Sequence, residues 1–145
     1  MIKKINNLET IEKCSDLYVK VFRQEPWNED WKIDTALNRL KDYYNTPGFM
    51  GLCSLEQDEI TGCVIGNIEH FYNGNYFHLK EIFIDVECQR KGIGKKILNE
   101  LKSLLLLEKV KSILLFTAER SEPQMFYKAN GFSLDNKMCL MSADL

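Results

Sequence analysis

Four cations fall within eight residues in the stretch Gln89-Arg90-Lys91-Gly92-Ile93-Gly94-Lys95-Lys96, and the whole chain carries a formal net charge of only −2. A local basic cluster in a mildly acidic chain points to a small anionic ligand rather than a nucleic-acid surface. The stretch follows a run that reads as a strand ending near Val86, and it precedes a helical pattern starting near Ile93. A helix start offers unpaired N–H groups and about half a positive charge. Gly92 and Gly94 let a ligand approach the backbone, while Arg90, Lys91 and Lys95 can neutralise it, so a pyrophosphate is the natural occupant. The competing reading is a turn with a solvated cationic face. A position at the carboxyl end of a strand feeding the only crossover helix favours the ligand.

Two better-known phosphate motifs fail on spacing. A P-loop needs four residues between its glycines and then Lys-Ser or Lys-Thr, and neither is present. A dinucleotide fingerprint needs Gly or Ala where Ile97 stands, in a chain of repeated βαβ units.

The elements that must position this loop follow from periodicity. Ile2–Asn6 reads as a short strand. Leu8, Ile11, Cys14, Leu17, Tyr18, Val21 and Phe22 recur at helical spacing with Asn7 as cap. Asp34 is placed to cap a second helix with Ala36, Leu37, Leu40 and Tyr44 on its apolar face. Strands are expected over 49–56, 60–71 and 76–86, with Asn73-Gly74 as a two-residue turn. Ile93, Ile97, Leu98, Leu101, Leu104 and Leu105 mark an amphipathic helix, and 112–117 reads as a strand buried on both faces. A short helix over 124–130 ends at Gly131, and 132–134 with 137–141 reads as a final hairpin.

The expected order is β-α-α-β-β-β-α-β-α-β-β: an α+β fold with a mixed, mostly antiparallel central sheet flanked by helices, in a single domain over 1–145. One anomaly stands out in the strand over 76–86. Phe77 and Leu79 are apolar at odd positions, but Ile82, Ile84 and Val86 at even ones. An extra residue in the strand, a β-bulge, swaps faces in this way.

Here a family enters. Ile82-Phe83-Ile84 followed by Gln89-Arg90-Lys91-Gly92-Ile93-Gly94 resembles the acetyl-CoA signature of the GNAT N-acetyltransferases, and Phe126-Tyr127-Lys128-Ala129-Asn130-Gly131-Phe132 resembles their second mark, a tyrosine shortly before Gly-Phe. The strong part of the likeness covers residues 77 to 132. It implies acetyl-CoA as co-substrate, with main-chain groups of Ile82, Phe83 and Ile84 pairing with pantetheine and the stretch Gln89, Arg90, Lys91, Gly92, Ile93, Gly94 and Lys95 holding the pyrophosphate. It also implies a general acid at Tyr127. Many relatives carry an asparagine before the last helix to bond pantetheine; this chain has Ser121 there instead.

The implied reaction is direct attack of a primary amine on the thioester in a ternary complex. It needs a base, an oxyanion donor and an acid for the thiolate. His78 is the first base candidate, since imidazole titrates near working pH and several relatives carry a base at that place. Glu81, reaching into the bulge, is the second. For His78 the alternative is a surface histidine; for Glu81, a pairing with a lysine such as Lys80. Trp27, Glu29, Asp30 and Trp31 fall where this family borders its acceptor site, as walls and anionic attractors for a small cationic amine; alternatively the tryptophans staple two helices together.

The runner-up function is a non-catalytic acyl-CoA-binding sensor of the same fold. Five cysteines with irregular spacing and two histidines give no zinc pattern, so no metal is expected, and the cysteines read as small hydrophobes. No run reaches the ~18 apolar residues of a membrane span, and no signal peptide is evident at the start, so neither membrane nor nucleic acid is an expected partner and the cytoplasm is the expected compartment. Dimers are common in the family. Acceptors from aminoglycosides to peptide amines are compatible with the residues.

Overall fold

A computed structural model describes residues 1–145. They divide into two compact units, Met1–Leu114 and Leu115–Leu145. The first contains β1 (Ile2–Lys4), α1 (Leu8–Phe22), α2 (Ile33–Tyr44), β2 (Phe49–Glu56), β3 (Glu59–Glu69), β4 (Tyr76–Ile84), α3 (Ile93–Leu107) and β5 (Ser112–Leu114), with a single 3-10 turn at Val86–Cys88. The sheet order is β1-β2-β3-β4-β5, antiparallel except for the parallel pair β4–β5. No helix is long and apolar enough to cross a membrane.

Helices cover both faces of the sheet. On one face Ile11, Cys14, Leu17, Tyr18 and Phe22 of α1 and Ala36 and Leu40 of α2 close over Cys53, Cys63, Ile65 and Phe83. On the other, Ile97, Leu98, Leu101 and Leu105 of α3 are buried, and α3 packs on β2, β3 and β4. Burying a Leu or Ile side chain in such layers contributes about 1.5–3 kcal/mol. Cys14, Cys53 and Cys63 are among the buried side chains, whereas Cys139 is exposed and does not fit the reading of the cysteines as core hydrophobes.

The phase anomaly in β4 is a bulge. Gly66 lies opposite Leu79 and Ile65 opposite Glu81, so Lys80 is an extra residue without a partner. Gly66 is required there: a Cβ would lie 2.2 Å from the His78 carbonyl oxygen and 2.6 Å from the Phe77 ring. Past the bulge the faces exchange, and Glu81 and Phe83 turn toward α1 and α2 while Ile84 sits near Ile93 of α3.

Several expected boundaries change. The α2 helix starts at Ile33, with Lys32 rather than Asp34 in the cap position. The Asn73-Gly74 turn is wider than two residues, because the ladder ends at Glu69 opposite Tyr76 and the turn closes by Gly74 N–H to the Phe71 carbonyl. The run over 112–117 is not a strand buried on both faces: β5 has three residues at the sheet edge, and Leu114 and Phe116 are exposed.

In the second unit the regular element is α4 (Glu122–Ala129). Ser121 caps its start by accepting from the Gln124 amide at 3.3 Å. Its end is a Schellman motif: Phe132 N–H donates to the Tyr127 carbonyl at 3.0 Å and Gly131 N–H to that of Lys128 at 3.3 Å, with Gly131 at φ 91°. The expected hairpin over 132–141 does not form. Leu134, Met138, Leu140 and Met141 are exposed there, and a hairpin without an apolar face to bury is marginal.

Candidate active site

The β4 strand has a second neighbour for only part of its length. The parallel ladder to β5 joins Tyr76, Phe77 and His78 to Ser112, Ile113 and Leu114 and goes no further. From the bulge onward Glu81, Ile82, Phe83 and Ile84 pair with β3 alone. The edge of β4 facing away from β3 is therefore left without a strand over the residues the sequence singled out.

The strand runs into a braced loop. Asp85 N–H bonds the Thr61 carbonyl, and its carboxylate accepts from Glu87 N–H at 3.1 Å and from Lys20 of α1 at 2.8 and 3.0 Å. Burial raises the Asp85 carboxyl, but the Lys20 and Glu87 donors outweigh it and hold the group below its usual range. Gln89 donates its side-chain amide to the Ile84 carbonyl at 3.0 Å. It thereby closes the loop on itself. Arg90 at φ 62° and Gly92 at φ 80° then turn the chain into α3.

The start of α3 carries no side-chain cap, its first turn holds no acid, and a Cβ on Gly92 would meet nothing within 4 Å. Ile93, Gly94 and Lys95 contribute first-turn amides that have no intrahelical acceptor; Lys96 N–H is the first to return, to the Gly92 carbonyl at 3.0 Å. Arg90, Lys91, Lys95 and Lys96 are exposed around this end.

On the α1–α2 face, Glu81 is 11% exposed and paired with Arg39, not with Lys80. Arg39 donates from Nε at 2.9 Å and Tyr18 from its hydroxyl at 3.3 Å, both to Oε1, and Arg39 Nη2 lies 2.9 Å from the same oxygen as an ion-pair contact. Burial pushes the Glu81 carboxyl up; Arg39 and Tyr18 pull it back only in part, so it stays above its ordinary value. Tyr18 is pushed far up by burial and by the adjacent carboxylate, and remains a phenol. Lys80 turns instead to His78, Nζ to Nδ1 at 3.1 Å. An ammonium has only hydrogens to offer, so Nδ1 accepts and the imidazole is the Nε2–H tautomer. Burial first, then Lys80, lowers the His78 pKa.

The loop between α1 and α2 lines a shallow pocket of about 310 Å³ with Glu29, Asp30, Trp31, Lys32 and Thr35. Trp27 packs on Phe22 (centroids 5.4 Å apart) and Trp31 edge-on to Tyr18 (5.0 Å), and Trp31, with Arg39 of α2 over its ring, staples the two helices. Trp31 Nε1 donates to Glu29 at 3.0 Å, and Asp30 pairs with Lys32 at 3.0 Å. Arg39 lies over the Trp31 and Tyr43 rings at 5.6 and 5.2 Å.

In the second unit, Tyr127 is buried on α4 with its ring 5.4 Å from those of Phe126 and Phe132. The Ser121 hydroxyl is engaged, donating to the Ala118 carbonyl at 2.6 Å while capping α4. Sequence reading missed Tyr18, Lys20, Arg39 and Asp85. The available signal was indirect: a glutamate at a half-buried strand position demands a cationic partner, but its location 42 residues away is invisible to local spacing.

Comparison with known proteins agrees with this architecture. No curated protein sequence matches the chain significantly. Among solved structures, an aminoglycoside acetyltransferase from an uncultured soil metagenomic sample, in complex with trehalose, superposes with TM-score 0.78 at 16% identity over 100% of this chain and 95% of that one. A GNAT family acetyltransferase from Staphylococcus aureus gives 0.74 at 19% over 100% and 98%. Aminoglycoside N-acetyltransferase AAC(6')-Iy in complex with CoA gives 0.77 at 15% over 100% and 95%. At such identities the likeness is one of fold. The sequence profile of the acetyltransferase (GNAT) domain, however, matches residues 51–134, from β2 through the Schellman turn after α4, and the chain belongs to the GNAT acetyltransferase family.

Proposed function

We propose that the chain, residues 1–145 acting as one domain, is an acetyl-CoA-dependent N-acetyltransferase that transfers the acetyl group to a primary amine by direct attack. The observation that carries this reading is the break of β4 away from β5 at the bulge, which leads straight into the uncapped, cation-flanked start of α3. Pantetheine pairs with the free edge at Ile82, Phe83 and Ile84. The pyrophosphate sits on the amides of the stretch from Gln89 to Lys95. A CoA-bound relative of the same fold supports the co-substrate.

Of the two base candidates, the geometry favours Glu81. The lone pair of His78 Nδ1 is occupied by Lys80, whereas Oε2 of Glu81 takes neither of the two hydrogen bonds that converge on Oε1. No fully buried side-chain oxygen lacks a partner, so Oε2, which takes no hydrogen bond, keeps some contact with solvent. In the reaction the amine nitrogen bonds to the acetyl carbonyl carbon, its proton passes to Oε2 directly or through a water, and the C–S bond breaks. Tyr127, matched to the family's acid by its spacing to Gly131-Phe132, returns a proton to the thiolate. Ser121 keeps one acceptor lone pair for a pantetheine amide. The acceptor is a small cationic amine bordered by Trp27, Glu29, Asp30 and Trp31, a reading supported by aminoglycoside acetyltransferases of the same fold. It is weakened by the pairing of Asp30 with Lys32.

The test is release of free CoA from acetyl-CoA over a panel of amines, with acetylated product read by mass. CoA binding without release on any amine would leave the non-catalytic sensor. Glu81→Gln should lower kcat about 100-fold. Because Glu81 works ionised and its carboxyl is raised, activity should fall on acidification at a higher pH than an ordinary glutamate would impose. Glu29→Gln with Asp30→Asn should raise the acceptor KM; an unchanged KM removes the cationic-acceptor reading.

A further inference from the structure

We propose that Arg39 of α2 is a positioning residue for the proton acceptor, gripping one oxygen of the Glu81 carboxylate so that the other is the oxygen presented to the acceptor amine. This deepens the function proposed above and rests on the reading of Glu81 as base.

Three observations converge on it. First, Arg39 Nε donates to Oε1 at 2.9 Å and Nη2 lies 2.9 Å from that same oxygen, rather than one nitrogen facing each oxygen. A guanidinium facing a carboxylate ordinarily takes both oxygens in a fork. Here Tyr18 adds its hydroxyl to the same Oε1. A pair built only to neutralise charge would engage Oε2 as well, and would seal it.

Second, Arg39 is itself held. Its guanidinium lies over Trp31 and over Tyr43, and Trp31 is in turn fixed edge-on to Tyr18 and by its Nε1–H to Glu29. These contacts restrict the guanidinium, and it holds Oε1 in place.

Third, the bulge is what delivers Glu81 to this clamp. Without the extra Lys80, residue 81 would point to the α3 face. A charged side chain buried to this degree costs several kcal/mol if unpaired, and a hydrophobic residue would fill the position more cheaply. The position carries a carboxylate with one oxygen left open.

The titratable and charged groups that act on Glu81 are Tyr18 from α1, Arg39 and Tyr43 from α2, Glu29 from the intervening loop and Cys63 from β3, while His78 and Lys80 on its own strand pair with each other. Arg39 is the cation among them that touches the carboxylate. Removing its charge makes ionisation of Glu81 harder, so a base working as carboxylate then needs a higher pH.

The experiment is the pH profile of kcat, with KM for both substrates, in the wild type, Arg39→Met, Arg39→Lys, Glu81→Gln and the double variant Arg39→Met/Glu81→Gln. In Arg39→Met the acid limb should move to higher pH and kcat should fall about tenfold below the limb, with KM for acetyl-CoA unchanged. Arg39→Lys keeps the charge without the planar guanidinium stacked on Trp31 and Tyr43; the limb should return, while kcat stays several-fold low because a flexible point charge does not hold Oε1 in place. The double variant should be no slower than Glu81→Gln alone. If Glu81→Gln is inactive but neither Arg39 variant moves the limb or kcat, Arg39 is only a strut and this proposal falls while the base stands. If Glu81→Gln keeps full activity, both fall. Should Arg39→Met fail to fold by circular dichroism, Arg39→Lys decides alone, and wild-type kcat in it overturns the proposal.

Discussion

The α1 and α3 helices are each 15 residues long, pack on opposite faces of the same sheet, and begin in opposite ways. At α1, Asn7 Oδ1 accepts from Thr10 N–H at 2.8 Å and Glu9 places a negative charge in the first turn. At α3 the cap is Gly92, the first turn has no acid, and Lys95 and Lys96 stand at the positive end of the dipole. The α2 helix also lacks a cap side chain, yet Asp34 supplies the acid and takes the Thr35 amide at 2.7 Å. A missing cap and misplaced cations together cost on the order of 1–2 kcal/mol. A helix start that serves only the fold looks like α1. The α3 start gives up that stabilisation, and the pyrophosphate proposed to bind its amides would offset the loss.

The contrast can be broken most forcefully by making α3 begin like α1. Gly92→Asp brings an acid to the cap in open space, at a φ that Asp tolerates better than most residues. Loss of the charge-assisted bonds, about 2–3 kcal/mol, should raise the Kd for CoA roughly 30- to 150-fold by calorimetry. An unchanged Kd would mean that the anion binds elsewhere.

Next in size, Arg90→Ala with Lys95→Ala should weaken CoA binding about tenfold and flatten its dependence on salt. Equal salt slopes in variant and wild type would show that these cations are merely solvated.

A smaller effect is expected from the brace. Lys20→Met frees Asp85, and the KM for acetyl-CoA should rise about threefold with kcat unchanged, since the pair is largely at the surface. A fall in kcat alone would place the brace's role outside binding.

The control comes last. Asn7→Ala should lower unfolding free energy by about 1 kcal/mol in urea and leave the KM for acetyl-CoA where it was. If KM moved with it, the two helix starts would not be independent.

How much of this was legible beforehand depends on the range of the cause. The Tyr127-Gly131-Phe132 spacing was visible in the chain, and its physical basis is local: it satisfies the hydrogen bonds and the ring contact of a Schellman turn. The β4 bulge was equally visible, because alternation along a single strand registers one inserted residue. The final hairpin and the long fifth strand were misread for the converse reason. Apolar residues at 112–117 and 132–141 have strand-like composition, but a strand exists only where another edge accepts it.

Sequence alone determined the family, the bulged strand, the cationic glycine loop and the helix behind it, since each is written in neighbouring residues. Tertiary structure alone decided that Glu81 answers to Arg39 and Tyr18 while Lys80 answers to His78. A buried charge selects its partner by geometry and desolvation across the packed layers, and residues 42 and 63 positions apart carry no mark of that choice along the chain.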